Sequence, residues 1–83
     1  MRKSWAGEAV VFPNPVRAGE VLVVERNGDW TAGEVRLVDV LGRTVARASV
    51  NVDATRVVLP TEGLATGTYY VDGVGERIEV VVW

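Results

Sequence analysis

Leu64-Ala65-Thr66-Gly67-Thr68-Tyr69-Tyr70-Val71-Asp72 is the stretch whose reading decides the fold. It sets a tyrosine at the start of an aromatic, β-branched strand, directly after a loop that contains a glycine. Antiparallel sandwiches carry a tyrosine corner at such a place: the ring fills the core and the hydroxyl bonds back to loop main chain. Tyr69 is therefore expected inside, with its hydroxyl on backbone between Thr61 and Gly67. Tyr70, one step along the strand, must face the other way.

Outward from this stretch, turn-forming residues recur every eight to twelve residues, the rhythm of a sandwich or barrel. Val10-Val11-Phe12 reads as a first strand, stopped by Pro13-Asn14-Pro15. Neither proline has an N–H to give a ladder, so this segment is a kinked edge. Val21 to Glu25 is a second strand, and Asn27-Gly28-Asp29 suits a type I′ turn, since Asn and Gly tolerate positive φ. Glu34 to Val40 is the third, with Val35 and Leu37 inward and Arg36 outward. Leu41-Gly42-Arg43 closes a hairpin into Thr44 to Val50. Arg56 to Leu59 is the fifth strand, ended by Pro60, and Thr61 to Thr66 is a loop with room for one helical turn. Thr68 to Asp72 and Arg77 to Val82 complete the set around Gly73-Val74-Gly75-Glu76. Seven antiparallel strands and no helix of two turns predict an all-β, immunoglobulin-like sandwich. Alternation nominates Phe12, Val23, Val35, Leu37, Val57, Leu59, Leu64, Tyr69, Val71 and Val80 for its core.

Composition agrees. The chain has 83 residues, a single small domain, and a domain of this size buries only about 60–65% of its unfolded surface. It contains no Cys and no His, so packing holds it without disulfides or the usual zinc ligands. The apolar fraction of 48% suffices for that, and its dominant member, Val, favours a pleated surface. Net charge is −2 and the nine basic residues are scattered, where nucleic-acid binding would need a basic cluster. No run approaches the roughly 18–20 apolar residues of a membrane-inserted helix. Residues 1–8 open with Arg2 and Lys3 but meet Gly7 and Glu8 where a signal peptide would be apolar. They read as a leader or interface segment ahead of a sandwich over residues 9–83. An exported form would then be part of a longer precursor, or follow a signal already removed.

Three segments, in order, resemble the type A C-terminal sorting domain of the type IX secretion system of Bacteroidota. They are Val11-Phe12-Pro13-Asn14-Pro15-Val16, then Val35 to Val45 with Asp39 three residues before Gly42-Arg43, then Leu64-Ala65-Thr66-Gly67-Thr68-Tyr69-Tyr70-Val71. The resemblance implies a seven-stranded sandwich at the end of a secreted protein, recognised by the secretion machinery for export and surface attachment. Its motif residues here are Pro13, Asn14, Pro15, Asp39, Gly42, Arg43, Leu64, Gly67 and Tyr69. Physically, Pro13 and Pro15 stop edge pairing and steer the chain between sheets. Asp39 can accept N–H bonds across the turn while Gly42 supplies positive φ, and Arg43 is expected to pair with Asp39.

Catalytic chemistry finds little to work with. Without His or Cys the common nucleophile–base pairs are missing, and the eleven acids are spread along the chain. No calcium-loop spacing occurs, and Gly73-Val74-Gly75 reads as a hairpin turn more readily than as a phosphate cradle. The expectation is a non-catalytic module with no metal and no cofactor, whose partner is a protein. Two functions follow: an exported, extracellular or cell-surface sorting domain read by a secretion apparatus, or a self-assembling structural subunit forming a homo-oligomer through strand edges. Both meet at the last strand. Ile78, Val80 and Val82 alternate toward one face, leaving Val81 and Trp83 on the other. These two are expected at a contact, covered by the Trp5 segment or by a partner chain. Trp5, Val81 and Trp83 are thus the candidate interface, with strand addition as the assembly route. Deletion of Val80 to Trp83 is expected to abolish association or export while leaving folded protein.

Overall fold

Seven strands build two sheets packed face to face in a computed structural model that describes residues 9–26, 30, 33–51, 53–75 and 77–83. They are β1 (Ala9–Phe12), β2 (Val21–Arg26), β3 (Glu34–Asp39), β4 (Thr44–Ser49), β5 (Arg56–Pro60), β6 (Gly67–Asp72) and β7 (Ile78–Val82). One sheet has the order β1-β2-β5 and the other β4-β3-β6-β7, with every strand pair antiparallel. The described residues hold no helix, and the immunoglobulin-like sandwich is as expected. The fourth strand, which in a constant-type domain sides with the fifth, here pairs with the third through the Asp39–Arg43 hairpin.

β2 and β3 lie in different sheets, so the chain crosses between sheets after β2. The Asn27-Gly28-Asp29 turn itself falls outside the described residues.

The core lies between the sheets. Leu22 and Val24 from β2 and Val57 and Leu59 from β5 meet Val35, Leu37, Tyr69, Val71, Val80 and Val82 from the other sheet. Eight of the ten nominated core residues are buried or packed against this cluster. The other two, Phe12 and Val23, face out, and one register explains both. They are direct cross-strand partners and so share a face, while Leu22 and Val24 take the inner one. Arg26, two steps further on the inner face, is buried, and its guanidinium donates to the Val74 carbonyl at 2.5 Å. A carbonyl at the β6–β7 turn is thereby satisfied by a side chain from the opposite sheet.

Candidate recognition surface

The peptide bonds preceding Pro13 and Pro15 are cis. The segment that follows leaves the first sheet and runs parallel to β7 in the second, with Val16 bridged to Val82. The β7 edge is then occupied rung by rung. Asn14 Nδ2 donates to the Glu79 carbonyl at 2.9 Å, and its Oδ1 accepts from the Val81 N–H at 3.1 Å. The Val16 N–H donates to the Val81 carbonyl at 2.8 Å, the Trp83 N–H to Val16 at 3.0 Å, and the Ala18 N–H to Trp83 at 2.8 Å. Strand addition at this edge, the assembly route expected above, is therefore closed between Glu79 and Trp83, because its main-chain groups already have partners.

What remains outward at this strand is side chain. Val80 and Val82 are fully buried, whereas Val81 and Trp83 are 40% and 55% exposed. The Trp83 ring carries the Arg17 guanidinium 4.8 Å from its centroid, a cation–π contact. Arg17 escaped sequence reading because it follows the proline kink, where no periodicity assigns a face. Deleting Val80 to Trp83 would also remove two buried valines, each contributing roughly 1.5–3 kcal/mol. In a small domain that loss threatens the fold itself, so the expected folded truncation does not suit this structure.

The motif residues gather at the same end. Asp39 Oδ1 accepts from the Leu41 and Arg43 N–H groups at 2.9 Å each, and Oδ2 accepts from Arg43 Nε at 2.7 Å. Chiefly the Arg43 main-chain N–H, with its guanidinium and the Leu41 N–H, holds the Asp39 carboxyl below its ordinary range. Gly42 has φ of +83°, which a glycine adopts without steric cost. Val40 and Leu41 project into solvent at this hairpin tip. Leu64 packs against the core and Gly67 pairs with Val82. Tyr69 is buried and its hydroxyl donates to the Ala65 carbonyl at 2.7 Å. Trp5, the remaining candidate, lies outside the described residues. Trp30 sits far from Trp83, at the Arg26 end, half-buried against the core with its indole N–H on the Ala54 carbonyl at 2.6 Å.

A kinked edge pinned by Asn14, an Asp-anchored Gly-Arg hairpin and a tyrosine corner thus occur together in one sandwich. A family model described as the secretion system C-terminal sorting domain matches residues 10–81. The chain belongs to that family. It is a sorting domain, a non-catalytic signal for export by the type IX secretion apparatus, and this favours export over the self-assembling subunit. Comparison with curated proteins and with solved structures yields no match. The partner of such a domain is a protein of the secretion apparatus, and its destination lies toward the cell surface or beyond. The described residues of the sorting domain include no metal-ligand cluster.

Proposed function

We propose that the secretion apparatus reads the sorting domain at the pole where β7 ends, through the side chains of Val81 and Trp83 beside the Val40–Leu41 hairpin tip. The observation that carries this reading is the split along β7. Val80 and Val82 serve the core, Asn14 to Ala18 occupy the edge, and Val81 and Trp83 are left outward without a main-chain role for their side chains. Exposed large apolar side chains at one end of a small domain mark a contact surface. A chain that precedes the sandwich enters it at Ala9, paired with Arg26 at the opposite pole, which leaves this end free of cargo. In this reading the cargo is carried outward as part of a precursor and held at the cell surface or released.

A reporter fused ahead of residue 1, expressed in a host with a working type IX apparatus, tests this reading. The pair Val81→Ser and Trp83→Ser should reduce secretion of the reporter at least about tenfold, with circular dichroism of the purified domain unchanged. Secretion at the wild-type rate from this folded variant would place recognition elsewhere.

A further inference from the structure

The arginines on the outside of the sandwich find carboxylates, with one exception among the described residues. Arg36 and Arg77 pair with Asp72, Arg43 with Asp39, Arg47 with Glu34 and Arg56 with Glu25. Arg26 is buried and donates to the Val74 carbonyl. Arg17 is exposed, and among the described residues no carboxylate pairs with it. Even Glu20, whose N–H donates to the Arg17 carbonyl at 2.9 Å, forms no ion pair with its guanidinium. That group lies over the Trp83 ring instead, 4.8 Å from the centroid.

The main chain around Arg17 is fixed on both sides. The Val16 and Ala18 N–H groups donate to the Val81 and Trp83 carbonyls at 2.8 Å each, which ties its neighbours to β7. The turn that follows is tied to the other sheet. There the buried Thr61 hydroxyl accepts from the Gly19 N–H at 3.0 Å and donates to the Glu20 carbonyl. A cation held in place this way loses little freedom on meeting a partner, so little affinity is lost to ordering.

We propose, resting on the recognition reading above, that Arg17 receives a carboxylate side chain of the apparatus protein while Val81 and Trp83 enter an apolar recess beside it. The N–H donors of a guanidinium lie in its plane and form a fork that matches a carboxylate. The exposure of Arg17 leaves that fork accessible. The Trp83 ring keeps water from one side of the pair, and a lower local dielectric strengthens the attraction. The partner surface is therefore an apolar recess with an Asp or Glu at its rim.

The reporter fused ahead of residue 1 tests this with three substitutions. Lysine keeps the charge without the fork, methionine keeps an apolar stem on the ring, and glutamate repels a carboxylate. Arg17→Lys, Arg17→Met and Arg17→Glu should lower secretion by about threefold, about tenfold and well over tenfold. Equal losses from Arg17→Met and Arg17→Glu would make Arg17 a brace for Trp83 and overturn the proposal. If Arg17→Glu also lowers Tm, the comparison passes to the other two, and equal secretion from Arg17→Lys and Arg17→Met overturns it. Wild-type secretion of Arg17→Glu, with export blocked by Val81→Ser and Trp83→Ser, overturns this inference and leaves the recognition reading standing. Wild-type export of both variants overturns both. Co-sedimentation of the purified domain with phosphatidylglycerol vesicles, lost in Arg17→Glu, would assign the cation to a membrane surface and also overturn the proposal.

Discussion

The carboxamide of Asn14 stands in for main chain beside Val81, accepting its N–H at 3.1 Å while donating to Glu79 at 2.9 Å. The flanking prolines have no N–H of their own to offer the β7 edge. A short side chain with both a donor and an acceptor completes the ladder where the backbone cannot.

Asn14→Ala removes two hydrogen bonds from an exposed edge, and water replaces part of each. The expected loss is about 1–2 kcal/mol in urea unfolding, near the net worth of two such bonds. The freed edge should also make sedimentation of the variant concentration-dependent. A variant with the stability and sedimentation of wild type would show that the main-chain bonds of Val16 and Trp83 hold the edge without Asn14.

Tyr69→Phe deletes only the hydroxyl that donates to Ala65. Stability should fall by about 0.5–1.5 kcal/mol with the ring's packing retained. Tyr69→Ala removes the ring as well and should cost about 3–5 kcal/mol. Denaturant midpoints of the two variants separate the hydrogen bond from the packing.

Gly73 has φ of +101°, and a Cβ there would lie 2.5 Å from the Glu34 carbonyl oxygen. Both the backbone conformation and the neighbouring strand oppose a side chain. Gly73→Ala should therefore destabilise by at least about 2 kcal/mol. Gly33→Ala, with open space around its Cβ and no positive φ, should leave Tm within a few degrees of wild type. Equal effects from both substitutions would mean that the turn relaxes away from β3.

Asp39 binds its proton more weakly in the folded chain than in the unfolded one, because N–H groups of the hairpin hold the carboxylate. Its contribution to stability is fully present above the unfolded value of about 3.9. It is lost as pH falls through the lower, folded value, where the unfolded chain has already taken up the proton. Urea midpoints followed from about pH 6 to pH 2 should fall less steeply for Asp39→Asn than for wild type in the acid limb. Parallel curves would remove Asp39 from the acid response.

Most of the strand order could be read before any coordinates, and the misses have one physical origin. β3 alternates apolar and polar residues, so Val35 and Leu37 could be assigned a face from period two, while the corner position after a glycine loop placed Tyr69. β2 offers Val21-Leu22-Val23-Val24, apolar on both faces because the outside of its sheet is apolar too. Alternation vanishes there, and Val23 with its partner Phe12 was placed on the wrong side. Val16 and Val74, both fully buried, stand outside the seven strands, where no period applies.

The sequence by itself determined the class of fold, the tyrosine corner and the Asp39-Gly42-Arg43 hairpin. Each of these rests on interactions within a few residues, which a local pattern encodes. Only the tertiary structure decided that Asn14 to Ala18 occupy the edge of β7, some 65 residues away along the chain. It alone showed that Arg26 crosses between sheets to Val74. Those contacts depend on how two sheets stack and which edges they leave open, and nearby residues carry no record of it. The same stacking turns a strand that reads as an open edge into one presenting side chains rather than main chain, Glu79, Val81 and Trp83 among them.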